Sequence, residues 1–159
     1  MLDATAASRR TLRYVSRLVN GRTDIEVHLA HIAGGLPPAL LESGGSESPE
    51  GEILIEAALR AEQRRWIAAA DRDAERLLER ARAALARGGL PASRIRTCVT
   101  SPLDAASVPD EVLSLARHER CRTIVVGHSA HGWFARFDGG HLAEQLVRKA
   151  RGDAVWVVD

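Results

Sequence analysis

The sequence predicts a single α/β domain built on an open, doubly wound, mostly parallel sheet with helices on both faces. Three observations carry this prediction. Short apolar runs of strand length alternate with longer segments of helical periodicity, the order that builds a parallel sheet. The chain has 159 residues, enough for one domain with a real core. Between Thr123 and Leu142 (TIVVGHSAHGWFARFDGGHL), a strand-like run meets Gly127, a glycine-bearing loop follows, and Gly139-Gly140 opens a helical pattern. Such a loop lets backbone N–H groups approach an anion, and the first helical turn adds the positive end of its dipole. That arrangement points to a nucleotide.

Each element follows from its local pattern. Residues 6–20 form a helix, with Leu12, Val15, Leu18 and Val19 as its apolar stripe and Asn20-Gly21 as its stop. Ile25 to Ile32 (IEVHLAHI) reads as a strand. Residues 33–51 hold Gly34-Gly35, Pro37-Pro38, Gly44-Gly45 and Pro49, and form a flexible loop, either a lid or a surface insertion. Ser48-Pro49-Glu50 caps and starts a long helix running to about Arg87. Its stripe of Ile67, Ala70, Ala74, Leu77, Ala81 and Leu85 faces the core, and Gly88-Gly89 ends it. Ile95 to Thr100 is a short strand. Ser107 caps a helix to about Arg120, and Thr123 to Gly127 is the next strand. Leu142, Ala143, Leu146, Val147 and Ala150 line a helix stopped by Gly152, and Ala154 to Val158 is the last strand. No internal repeat is present.

Composition excludes several classes. Hydrophobic residues make up 45% and charged residues 27%, a soluble globular balance. The net charge of +1 gives no global field to draw nucleic acid or an anionic membrane. Lys149 is the sole lysine, which reflects a GC-rich genome rather than phosphate recognition. Cys98 and Cys121 are too few and too far apart for a metal knuckle or disulfide framework, and free thiols fit a reducing cytosol. No apolar run reaches membrane-spanning length, and no signal-peptide core precedes the arginines at 9, 10, 13 and 17. The expected location is cytoplasmic.

With these elements in order, the chain resembles the universal stress protein family, a branch of the adenine-nucleotide α-hydrolase-like folds. The resemblance covers nearly the whole chain. It rests on Leu2-Asp3-Ala4-Thr5 with Ser8, on HLAHI, and above all on residues 123–158. The family signature is Gly, two residues, Gly, nine residues, Gly, then Ser or Thr; the matching positions are Gly127, Ala130, Gly140 and His141. The outer glycines are kept, alanine replaces the second glycine, and histidine replaces the hydroxyl residue.

The resemblance implies a site for ATP, with Mg, at matching positions. Asp3 ends the family's first strand and faces the adenosine. Ile32 follows the second strand and meets the adenine through its backbone. Val126 and Gly127 lie under the ribose and phosphates, Ser129 and Ala130 turn around the phosphates, and Gly140, His141 and Leu142 form the helix start at the distal phosphates. The Cβ of Ala130 resists a positive φ and crowds a phosphate. The ring of His141 could donate to a phosphate or fill the pocket. Some family members bind no nucleotide, so the alternative function is a dimeric interaction module of the same fold. The family also places its first strand mid-sheet, ahead of the Asp3 position, and here only Met1-Leu2 stands there. The expectation is that the true start lies upstream; otherwise the sheet must close the gap or borrow a strand.

Other residues invite sharper readings. His31, His128, His131 and His141 map near the carboxyl edge of the sheet, but no carboxylate or cysteine stands at ligand spacing, so they read as polar lining and not as a metal site. His28 lies on the opposite strand face and reads as a partly buried strand residue. Trp133, Phe134 and Phe137 pack the glycine loop onto its own domain more readily than they cover a ligand, and Asp138 reads as a solvent-facing turn residue rather than a Mg ligand. Ser129 adjoins His128 and His131 without an orienting acid, and no nucleophile elbow, Walker sequence or His-Glu-x-x-His is present. No catalytic residue is assigned; at most the chain is a weak ATPase. The apolar final strand, 154–158 with Trp156, is a sheet edge and is expected to form a homodimer.

Overall fold

The computed structural model describes residues 5–41, 48–100, 107–128 and 142–159. In chain order they form α1 (Ala6–Leu18), β1 (Val27–Ile32), α2 (Pro49–Arg87), β2 (Ile95–Thr100), α3 (Val108–His118), β3 (Thr123–Gly127), α4 (Leu142–Lys149) and β4 (Ala154–Val158). Single 3-10 turns at Pro38–Leu40 and Ala92–Arg94 lead toward α2 and β2. No helix among the described residues is long and apolar enough to cross a membrane.

Among the described residues all strand pairing is parallel, and it comes in two separate pairs. Val27 to Ile32 of β1 register with Ile95 to Thr100 of β2. Thr123 to Gly127 of β3 register with Ala154 to Val158 of β4. Among the described residues β1 and β3 do not pair with each other, so the gap that the sequence raised is not closed by direct pairing.

Each strand pair has its own core. Beside β1 and β2, Leu29 and Ile95 pack with Val19 of α1, Leu78, Ala81 and Leu85 of α2, and Leu90. Beside β3, Ile124 and Val126 pack with Val108, Val112, Leu113 and Ala116 of α3, Ala143 and Leu146 of α4, and Ile32 of β1. Strand alternation explains the split: Leu29 and Ile32 point to opposite faces of β1. Helices α1 and α2 therefore cover one face, and α3 and α4 the other, as the doubly wound prediction requires.

Local chemistry sets the helix ends. The Thr5 hydroxyl accepts from the Ser8 N–H at 3.2 Å to cap α1, and Gly21 follows it at φ +69. The Ser48 hydroxyl accepts from the Gly51 N–H at 3.1 Å, ahead of Pro49 and an acidic first turn. Gly89 at φ +91 ends α2, and the Leu90 N–H reaches back to the Leu85 carbonyl at 3.2 Å. Ser107 departs from expectation, because its side chain makes no capping hydrogen bond to α3. Helix α3 also ends on a non-glycine left-handed residue, Arg120 at φ 56.

The expected core stripe of α2 is correct only in its second half. Ala74, Ala81 and Leu85 are buried with Leu78, whereas Ile67 is 45% exposed. The reason is length. A helix of 39 residues spans about 58 Å, while strands of five or six residues span only about 17–20 Å. The N-terminal half of α2 therefore runs past the sheet, with Ile53 and Leu54 exposed. The 3-10 turn lies against it there, and Gln63 donates to the Leu40 carbonyl at 2.7 Å.

Candidate functional site

The carboxyl ends of β1 and β3 meet at one edge of the molecule. Ile32 is the last residue of β1, not a residue beyond it, and its side chain is buried in the same cluster as Val126. Leu142, the first residue of α4, packs half-buried against that cluster. The structure thus brings together four of the predicted site residues: Ile32, Val126, Gly127 and Leu142. None of them offers a polar side chain, so any contribution to a ligand is made through the backbone. Asp3, Ser129, Ala130, Gly140 and His141 lie outside the described residues, as do His131, Trp133, Phe134, Phe137 and Asp138.

Gly127 has a packing reason of its own. A Cβ built on it would stand 2.8 Å from the Thr11 hydroxyl and 3.0 Å from the Ala7 carbon atoms. Thr11 cannot turn aside cheaply, since it is buried and donates to the Ala7 carbonyl at 3.0 Å. The first two turns of α1 press directly on the end of β3, and only glycine leaves room. This brings the N-terminus of α1 to the same edge.

Three polar residues gather around that contact. The His128 N–H donates to the Val158 carbonyl at 2.7 Å, extending the β3–β4 ladder by one bond. Its Nδ1 lies 3.7 Å from the Asp159 carboxylate, and the Arg10 guanidinium lies 3.9 Å from the same oxygen. Arg10 Nε is buried with no hydrogen-bond partner. Sequence reasoning named His128 but missed Arg10 and Asp159. Asp159 directly follows a strand that ends at this edge, which is a sequence signal for it alone; nothing in the sequence pairs it with Arg10.

A second polar group sits farther down β1. His28 is held between two carboxylates, Nε2 at 3.3 Å from Glu26 and Nδ1 at 3.2 Å from Glu119 at the end of α3. Its side chain is 14% exposed, as the partly buried reading expected, but its place between two carboxylates was not foreseen. Arg96 hydrogen-bonds Glu26 and holds that carboxyl below its usual range. Cys98 and Cys121 are free thiols; burial first, and Glu119 second, push both up from their ordinary range. A thiol so placed is a poor nucleophile. Among the described residues no group of three or more His, Cys, Asp or Glu side chains could hold a metal.

No protein-family model matches the chain, and no curated protein is similar in sequence. Solved structures are similar in fold. A protein of the universal stress protein family from Burkholderia pseudomallei superposes with a TM-score of 0.55 at 18% identity, over 99% of this chain and 90% of that one. The hypothetical protein MJ0577, subject of a structure-based assignment of biochemical function, superposes with a TM-score of 0.60 at 18% identity, over 98% and 90%. The universal stress protein from Archaeoglobus fulgidus, solved in complex with dAMP, superposes with a TM-score of 0.55 at 16% identity, over 100% and 93%. The chain has the universal stress protein fold, as the resemblance implied.

Proposed function

We propose that this protein is a universal stress protein-like regulator, acting in stress response in the cytoplasm, with an altered adenine-nucleotide site at the carboxyl edge of its strands. The observation that carries the reading is the convergence of Ile32, Val126, Gly127 and Leu142 on one edge, with residues 128–141 joining β3 to α4. A similar fold has been solved with dAMP bound. On this reading the ligand is ATP with Mg, acting on conformation and not as a substrate to be turned over. Backbone N–H groups at the start of α4 would hold the phosphates, since they survive alanine at 130 and histidine at 141. Asp3 and the Ile32 backbone would meet the adenosine, and Ser129 would turn around the phosphates.

Calorimetric titration of Mg-ATP into the purified protein tests this. We expect micromolar binding that Gly140→Asp abolishes by placing a carboxylate against the phosphates. A folded protein that gives no heat would overturn the nucleotide reading.

One observation favours a second reading, a dimeric interaction module that has lost the nucleotide. Strand β4 pairs only with β3 among the described residues, and Trp156 and Val157 on it are 38% and 45% exposed. A strand edge of this kind invites a second copy. Light scattering at micromolar concentration should then give a dimer that Val157→Lys converts to monomer.

A further inference from the structure

We propose that the outward half of α2, from Glu50 to Arg65, docks antiparallel on the same segment of a second copy of this chain. Ile53 and Leu54 are 66% and 71% exposed, and Leu54 is the most exposed large apolar side chain among the described residues. Ala57 and Ala58, one turn on, are exposed as well. A run of exposed apolar side chains marks an interaction surface. This face is turned away from the rest of the chain. Leu54 and Gln63 stand a half-turn apart around the helix, and Gln63 is the residue that bonds the 3-10 turn. Leu54 and the buried Ala81 also lie on opposite sides. The chain's own core and its 3-10 turn therefore take one side of α2 and leave Leu54, Ala57, Ala58 and Ala61 on the other.

Charge selects the occupant. Glu50, Glu52 and Glu56 come first on α2 with no basic residue among them; Arg60, Arg64 and Arg65 follow, with Glu62 in their midst. A parallel pair of such helices would set acidic turns beside acidic turns. An antiparallel pair sets acidic turns against basic ones, and the two helix dipoles then oppose favourably. Glu56 and Arg60 already pair within one helix, so Glu50 and Arg65 are the charges set for a partner. The surface is complementary to itself in this one orientation, which makes a second copy its fitting partner.

Spacing fixes the register. The two-fold axis passes between Ala57 and Ala58, Leu54 of each copy packs on Ala61 of the other, and Glu50 of each reaches Arg65 of the other. At roughly 3.6 residues per turn, these six positions fall within about 50° of one line along α2. Alanine opposite leucine lets the two helices approach closely. The contact is about 24 Å long and one helix wide, short of the roughly 1,200–2,000 Å² of stable complexes. The pair is therefore weak and fills on the order of hundreds of micromolar protein, above the range in which the β4 edge would act. The proposal rests on neither functional reading given above.

The test uses the full 159-residue chain carrying Cys98→Ser, Cys121→Ser and Val157→Lys, so that neither native thiol nor the β4 edge links copies. Leu54→Cys and Ala61→Cys are then made as separate batches. Under mild oxidation at about 300 µM protein, the mixture should form disulfide-linked dimers about tenfold faster than either batch alone, because position 54 faces position 61 of the partner and not itself. The mixed pair keeps one Leu54–Ala61 contact intact. Arg65→Glu in both batches should slow the mixture about tenfold, and Glu50→Arg added to it should restore the rate. Equal rates in the mixture and in each batch would overturn the proposal. Faster linking in each batch alone, the mark of a parallel pair, would do the same. So would no linking in any sample, or a Glu50→Arg/Arg65→Glu mixture that links no faster than Arg65→Glu.

Discussion

The β1–β2 half and the β3–β4 half of this molecule are built alike and held differently. Each is a parallel pair with a helix layer and a fully buried leucine at its centre, Leu85 in one and Leu146 in the other. The first half leans on the long α2, closed by a glycine in the left-handed region. The second leans on α3 and α4, and α3 closes on Arg120 at φ 56. Between them run α1, Ile32 and the contact of His28 Nδ1 with the Glu119 carboxylate. These elements link the halves, and α1 touches both of them. It reaches Leu29 through Val19, Gly127 through Ala7, and Trp156 through an edge-to-face contact of Tyr14 at 6.3 Å.

The largest effects should come from cutting each core separately. Leu85→Ala and Leu146→Ala should each cost about 2–5 kcal/mol. If α1 couples the halves into one unit, both variants lower the same single calorimetric transition. Two transitions, each moved by one variant only, would show that the halves melt apart. Gly127→Ala cuts the link itself. It should cost about 1–3 kcal/mol by overpacking against Ala7 and Thr11, and the paired variant Gly127→Ala/Thr11→Ala should recover part of that loss. Denaturant midpoints check both.

Changes within one half should be smaller. Arg120→Gly relieves a left-handed residue that costs roughly 1 kcal/mol, so it should raise the midpoint, an outcome that a loss of stability would refute. The smallest effect concerns Asp24, whose carboxyl is lowered to about 2, chiefly by its hydrogen bond to Arg22. Its folded pKa is below its unfolded one, so the contribution is present above the unfolded value of 3.8 and fades as pH falls toward about 2. The pair is fully solvent-exposed and strongly screened. Asp24→Asn should therefore differ slightly from the parent in acid unfolding near neutral pH, and the curves should merge at the acid end.

Much of the fold was legible because it depends on local order. The alternation of Ile95–Thr100, Thr123–Gly127 and Ala154–Val158 with periodic helices placed each of the described helices and strands, though not the two 3-10 turns, and Gly21, Gly89 and Gly152 stop helices where expected. What was not legible depends on distance. Ile67 has the right spacing for the core but lies too far along α2 to reach it. Gly127 reads as a phosphate glycine in the motif, yet its neighbours are Ala7 and Thr11, more than a hundred residues earlier. Arg10 and Asp159 come from opposite ends of the chain, and no spacing rule connects them. The candidate site was legible as an edge; Ile32, Val126, Gly127 and Leu142 meet there because strands β1 and β3 end together.

The outward half of α2 has a consequence for how motion is distributed. Residues 49–66 are held mainly by terms internal to the helix, the Ser48 cap, the Glu56–Arg60 pair and a good supply of alanine, with the Gln63 bond to the Leu40 carbonyl as a tertiary tie. Residues 74–85 are held by the core. One continuous helix therefore joins a segment that opens at the cost of little beyond its tie to the 3-10 turn to a segment whose amides are released only when the domain unfolds. Deuterium would enter it as a front, fast near Glu52 and slowing through Trp66 to Leu85. The axis of α2 is a ruler on which local and global stability can be read from the same backbone.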